Sequence, residues 1–369
     1  MITINGESAG GASVHTLLGS PPAIPMIQGA IQMSNLGGGV DLGESGNYGT
    51  TYSTYYTVAQ SYAVAGQAIF LAAGCNQAAL SDQITCLETT TTDLTSLSTV
   101  ARYVVQDGTI VNTPELEVRS KNKNTAHINV AIGTTQNDGA SFSAYSQSCN
   151  TTVACVAANL YCSIAHAQAL LDSGLFPLYD TGDVTADAFN ISQRVVTDNT
   201  FRCVDQATAY AGATSGAFKS AYFYQMDRTS YGYNPNNVDQ VGPVVPGFPN
   251  GDPEMPYYRV HGSDMPWVFG SPITYRDAND LPSQQLSTAY FAEFIRSGQP
   301  NPSEVYLTTR KYTTALQGYK RSGPWEMVSS DQGPTKRMDW PVAMTSTFVD
   351  LAQCAYLNYS ISYYLTGGV

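Results

Sequence analysis

Charge is what this sequence has least of. Only 12% of its 369 residues are Asp, Glu, Lys or Arg, roughly half the share usual in soluble domains. Cations are the scarcer sign: 17 Lys and Arg stand against 29 Asp and Glu, a formal net charge of −12. No run of Lys or Arg occurs, which argues against a nucleic-acid surface. Long apolar runs are also missing. Residues 58–75 come nearest to a membrane span, but Gln60, Ser61, Gly66 and Gln67 interrupt them. The segment reads as an amphipathic helix, and no membrane span is expected. With a strand-like run starting at Ile2, no secretory leader is expected within these residues. None of the seven cysteines forms CxxC, which argues against a zinc ribbon or a thioredoxin-like site. Cys149, Cys155 and Cys162 lack an accompanying histidine or acid cluster. A disulfide or buried thiols explain them better than a metal, and no metal or organic cofactor is expected.

What remains is an apolar share of 43% and 25 tyrosines, so polarity comes from neutral side chains. The chain is too apolar for disorder and long enough for a large core. Its length fits two domains or one large one, and it shows no repeat and no low-complexity linker. Sequons at Asn150, Asn190 and Asn358, several cysteines and little Lys favour a secreted glycoprotein. The odd cysteine count leaves at least one outside any internal disulfide.

The first thirty-five residues predict strand, turn, helix and strand. Ile2-Thr3-Ile4 is β-branched, residues 6–11 are glycine-rich, and residues 12–18 suit a helix stopped by Gly19 and Pro21. Residues 30–34 form a second strand, which implies a parallel βαβ unit. Residues 51–100 read as mostly helical, with apolar positions at Val58, Tyr62, Ala65 and Ile69. Strands are expected at 128–132 and 221–226, helices across 155–220 and 287–297, and a long Gly/Pro/Asn-rich loop at 230–256. A loop of that length in a compact chain is usually functional.

Gly6-Glu7-Ser8-Ala9-Gly10 is a GxSxG motif between a strand and a helix. A serine on that tight turn is held out above the sheet, and small residues at positions 6 and 10 keep strand and helix from colliding. The Ala9 N–H then points at a developing oxyanion. A glycine-rich structural turn with an incidental serine is the plainer alternative. The serine needs a base, and only four histidines exist. His15 lies along the same helix and points away, and His166 sits in an Ala-rich helical run. His261, in a flexible turn beside Gly262, is the better placed, with His127 second. Asp138 follows the strand at 128–132, at the strand end where α/β sheets carry functional groups. Ser8, Asp138 and His261 then run in the order nucleophile, acid, base. Glu7 either supports the histidine loop or is a turn residue. Trp267, Phe269, Tyr222 and Tyr224 fit a core better than an acyl pocket, and Tyr231, Tyr233 and Phe248 could rim a pocket.

The run from Gly6 to Val14 resembles the nucleophile segment of the type-B carboxylesterase family, which includes cholinesterases and related fungal lipases. Residues 133–139 with Phe142 resemble the family's acid loop, with Asp138 in the usual Glu place and Asn137 in the Asp place. Residues 261–270 are similar to its histidine loop, with Asp264 where Glu is common. Gly298-Gln-Pro-Asn-Pro302, after Phe294, is similar to a late helix-end motif, and Tyr290 stands where the family often has Trp. The resemblance spans nearly the whole chain. It implies an α/β-hydrolase fold, a mostly parallel sheet with helices on both faces, and one domain over 1–369. It implies a Cys75–Cys86 disulfide and a carboxylic-ester hydrolase acting on small-molecule or lipid esters. Catalysis would fall to Ser8, Asp138 and His261 through an acyl-enzyme, with Ala9 as oxyanion donor and Gly6, Glu7 and Gly10 in support. It also aligns residue 1 with the nucleophile strand. The family's N-terminal third, with further central strands and a Gly-Gly oxyanion loop, is therefore expected to be missing, and the chain to be a fragment, the product of a truncated gene or a degenerate paralogue. The alternative is a catalytically inactive esterase-fold interaction protein.

Overall fold

The structure is a computed structural model that describes residues 1–39, 53–97, 104–238, 240–271, 273–345 and 347–367. A six-stranded sheet organises it. Its strands, in spatial order, are β1 (Ile2–Glu7), β2 (Ile27–Met33), β5 (Asn129–Thr135), β6 (Ser220–Met226), β7 (Thr335–Met338) and β8 (Ala343–Thr345). A separate two-stranded piece pairs β3 (Tyr56–Thr57) with β4 (Val105–Gln106). All neighbours in the main sheet run parallel except β7 and β8. β5 and β6 are buried at every position, as strands covered on both faces must be.

β6 shows how the two faces separate. Ala221 and Phe223 point into a core with Val14, Leu18, Val204 and Ala207, while Tyr222, Tyr224 and Met226 pack with Trp267, Phe291 and Trp325. That period of two places helices on both sides. α1 (Ala9–Leu18) and the helix Cys203–Thr214 cover the first core, and the helix Asp280–Ser297 covers the second. The strand ends are in register: Glu7 pairs with Met33, Met33 with Gly133, and Thr135 with Met226. The segments leaving β1, β2, β5 and β6 therefore emerge along one edge. Gly133 sits where a Cβ would meet the Tyr224 ring at 2.1 Å.

The expected βαβ unit is present: β1 and β2 are parallel and α1 joins them. Several local expectations need correction. α1 begins at Ala9 rather than residue 12, because Gly10 and Gly11 continue the helix. A Cβ on Gly11 would come within 2.7 Å of Met33 O, so α1 packs closely on β2. The helix expected from 287 starts at Asp280, since Pro282 falls in its first turn, where no intrahelical N–H bond is lost. In the segment 51–100, helical turns run from Val58 to Ala72 and from Leu80 to Thr89, and residues 51–52 and 98–100 lie outside the described residues. Val58, expected on the apolar stripe, is 55% exposed, while Ala65 is buried. No single helix among the described residues is long and apolar enough to cross a membrane.

Cys75 pairs with Cys86, Cys149 with Cys155 and Cys203 with Cys354. Trp267, Tyr222 and Tyr224 are core residues, whereas Phe269 is largely exposed.

Candidate active site

β1 ends at Glu7 and α1 begins at Ala9, so Ser8 alone makes the turn. Its backbone lies at φ 62° and ψ −122°, a region costing on the order of 1–3 kcal/mol for a residue with a Cβ. Two bonds hold the strained turn: Ser8 N donates to Met33 O at 3.0 Å, and Ala12 N donates to Ser8 O at 3.0 Å. Gly6 is required, because a Cβ there would lie 2.2 Å from Gly10 O. Gly10 is not required in the same sense, since a Cβ on it meets nothing within 4 Å. The expectation that both glycines relieve the clash holds only for Gly6. Ala9 is exposed at the first position of α1, where backbone N–H groups have no intrahelical acceptor.

Asp138 opens a short 3-10 turn just past β5 and is fully buried. Its Oδ2 accepts from Ser34 Oγ at 3.0 Å and from the Thr135 N–H at 2.9 Å. Its Oδ1 accepts from His261 Nδ1–H at 2.9 Å. A buried carboxylate that only accepts fixes the proton on Nδ1 and leaves Nε2 with a lone pair. The imidazole lies between the Phe142 and Phe201 rings, with centroids 5.0 and 4.8 Å away. Its Nε2 is 3.1 Å from Glu7 Oε1, without the alignment of a hydrogen bond. Among the described residues, no hydrogen bond joins the Ser8 hydroxyl to the imidazole.

Three carboxylates surround one imidazole, and the titration follows from that. Burial disfavours the His261 cation. The Asp138 hydrogen bond and charge, with Glu7 and Asp264, outweigh it and hold the imidazole above its ordinary value. Burial pushes Glu7 up to about 7, with His261 pulling the other way and Asp264 and Asp138 adding to the rise. Burial likewise raises Asp264 to about 6; its Oδ2 accepts from Tyr224 OH at 2.8 Å.

The acid and base loops are tied together by Asn137. Asn137 N donates to Arg259 O at 3.0 Å, and Arg259 N donates to Asn137 Oδ1 at 3.0 Å. Asn137 Nδ2 donates to Gln193 Oε1 at 3.2 Å. Arg202, itself buried against Asp198 and Asp350, donates from Nη2 to Gln136 O at 2.7 Å.

The structure thus brings Glu7, Asp138 and His261 into contact, with Ser8 on the turn that adjoins Glu7. It does not bring the other histidines there. His15 is buried with Nδ1 3.3 Å from Gln32 Oε1, and His127 Nδ1 is 3.1 Å from Ala217 O. His166 lies in the helix Ile164–Asp172. Sequence reasoning missed Ser34, Thr135, Phe201 and Arg202. Ser34 alone carried a signal, standing at the end of β2 as Asp138 stands past the end of β5.

The chain matches the profile described as "Carboxylesterase family" over residues 1–355. With the mostly parallel sheet and its helices, that match identifies the α/β-hydrolase fold. A search of curated protein sequences returned no match.

Proposed function

We propose that this chain, which belongs to the carboxylesterase family and to its ester-hydrolysing chemistry, cleaves carboxylic esters through an acyl-enzyme on Ser8. The observation that carries the reading is the His261–Asp138 pair at 2.9 Å, set beside a serine in a strained strand-to-helix turn. Ser8 Oγ attacks the ester carbonyl while His261 Nε2 takes its proton. Asp138 orients the ring and stabilises the imidazolium. The oxyanion forms near the Ala9 N–H, at the positive end of α1. Collapse expels the alcohol, which receives the proton from Nε2. Water, deprotonated by the same nitrogen, then releases the acid and frees Ser8. Nε2 must gain a hydrogen bond from Ser8 for the first step, and catalytic contacts of this kind commonly tighten only with substrate bound.

Small-molecule esters are the substrate class that the family implies. We read the chain as one hydrolase domain over 1–369. Three disulfides among the described residues and three sequons support an extracellular glycoprotein. The second reading, an esterase-fold interaction protein without turnover, is favoured by one observation: Nε2 lies 3.1 Å from Glu7 and makes no hydrogen bond with Ser8. Stopped-flow hydrolysis of p-nitrophenyl acetate separates the two. The expected record is a burst matching the enzyme concentration, abolished by Ser8→Ala. Turnover that survives Ser8→Ala overturns the assignment, and a folded protein with no turnover at all supports the second reading.

A further inference from the structure

Five of the 17 Lys and Arg fall within residues 296–321: Arg296, Arg310, Lys311, Lys320 and Arg321. Glu304 is the one acid in that span, in a chain whose net charge is −12. We infer that the short helix Glu304–Thr309 and the side chains around it form a docking surface for an anionic lipid bilayer.

Measured contacts gather the cations about that helix. Tyr306, in its first turn, has Arg296 Cζ 5.7 Å and Arg310 Cζ 5.6 Å from its ring centroid. Lys320 Nζ lies 2.8 Å from Oε2 of Glu304, the helix's first residue. Lys311 follows Arg310 directly, and its backbone is at φ 61°, where a glycine would be unstrained. The corner before the next helix, Thr313–Ser322, thus holds a cation on strained backbone. All four cations are exposed. Among the described residues, no carboxylate is within ion-pair distance of Arg310 or Lys311. Arg296 pairs with Glu293 and Lys320 with Glu304, but these two cations are 57% and 52% exposed. Pairs so exposed contribute little, and exchanging the carboxylate for a phosphate costs little.

Exposed aliphatic surface selects a lipid over other polyanions. Leu307 is buried and anchors the helix, whereas Val305 is 74% exposed, and Ile295, next to Arg296, is 43% exposed. Thr308 and Thr309 share Val305's side of the helix, three and four residues on, and are exposed and uncharged. An aliphatic tip with a cationic rim suits a bilayer, the tip meeting the acyl boundary and the rim the phosphates. A sulfated polysaccharide would leave Val305 in water. The overall negative charge does not forbid the contact, because at about 0.1 M salt charges more than about 10 Å away are largely screened.

Docking there leaves the catalytic edge facing water. The helix Asp280–Ser297 starts where Arg228, two residues past β6, donates to Asp280 Oδ1 at 2.6 Å. At its far end Gly298 packs against the side chain of Asn129, the first residue of β5. That helix therefore runs from the edge that carries Ser8 to the opposite edge, and Arg296 and the docking helix lie at the latter.

The test is co-sedimentation of the whole chain with sucrose-loaded vesicles at about 0.1 M salt. Phosphatidylcholine vesicles are compared with vesicles that also contain phosphatidylglycerol. The expected record is pelleting with the anionic vesicles alone, relieved by high salt. Arg310→Glu with Lys311→Glu is expected to weaken that binding at least about tenfold. Val305→Ser, which leaves every charge in place, should weaken it about threefold. Lys121→Glu with Lys123→Glu, at exposed lysines outside the patch, should bind as the wild type does. Four results overturn the surface: no preference for phosphatidylglycerol, retention by a sulfated polysaccharide without vesicle binding, binding that survives the Arg310 and Lys311 reversals, and equal binding by Val305→Ser. Should the reversed variant not fold, Val305→Cys carrying an environment-sensitive fluorophore decides. A blue shift on anionic vesicles supports the surface, and an unchanged spectrum overturns it. Neither readout uses ester turnover, so the outcome is independent of Ser8.

Discussion

His261 stands between Asp138 on Nδ1 and Glu7 on Nε2, and the two carboxylates have different consequences. Asp138 is buried and hydrogen-bonded on both oxygens, so it holds the ring in one orientation. Glu7 is pushed to about 7 and titrates together with the ring, so apparent values belong to the pair. General-base catalysis needs the neutral imidazole. Because the imidazole is held above its ordinary 6.5, turnover should rise with pH through an apparent pKa above 6.5. Glu7→Gln removes one charge that favours the imidazolium and should move that limb to lower pH. A kcat profile over pH 5–9 checks both, and a limb that moves upward in Glu7→Gln contradicts the account. Asn137 touches neither proton, but it joins the acid and base loops by two bonds of 3.0 Å. Asn137→Ala should lower kcat about tenfold with little change in KM, from roughly 1–2 kcal/mol of lost positioning. A loss carried in KM alone would make it a binding residue. The contact of Asp138 with His261 was legible in the sequence because each stands at a punctuation point, a strand end or a glycine turn. Ser34, Phe201 and Arg202 reach the site from segments distant in sequence and otherwise unmarked, and only the packed fold brings them there.

Elements carry that precision through close packing of backbones. β1 and α1 approach until a Cβ on Gly6 would lie 2.2 Å from Gly10 O. Gly6→Ala should therefore destabilise the turn by at least about 2 kcal/mol, whereas Gly10→Ala, which meets nothing, should preserve the fold. Urea unfolding of the two variants measures the contrast, and equal losses would contradict it. The GxSxG pattern named both glycines, but pattern alone cannot tell which one lacks room. The same limit explains Pro282: a proline reads as a stop unless its place in the first turn is known. It also explains Val58, whose spacing suited an apolar face while 55% of it is exposed.

At the scale of the whole molecule, stability should depend on long-range cross-links and on pH. The Cys203–Cys354 disulfide closes 151 residues and, in the chain-entropy account, contributes about 5 kcal/mol, against about 2 kcal/mol for Cys149–Cys155, which closes 6. Replacing each pair by alanine and measuring urea unfolding should reproduce that order, and a larger loss from the short loop would reverse it. His15 is wholly buried, and burial lowers it to about 4. Its folded value lies below its unfolded 6.5, so its contribution, about 3 kcal/mol, is present above pH 6.5 and is lost as pH falls toward 4. His15→Gln should flatten the stability profile in that window. An unchanged slope would show that the carboxylates alone govern it. Four strands of the sheet and the helices beside them were legible from periodicity and turn residues, whereas the short β7 and β8 were not. The chain's activity depends on whether its edge of strand ends, at Glu7, Met33, Thr135 and Met226, presents an activated serine. Labelling by a fluorophosphonate, followed by peptide mass spectrometry, asks this most directly. The account predicts a single adduct on Ser8, absent in Ser8→Ala and strongly slowed in His261→Ala. A folded protein that takes no label, or takes it on another serine, would contradict it.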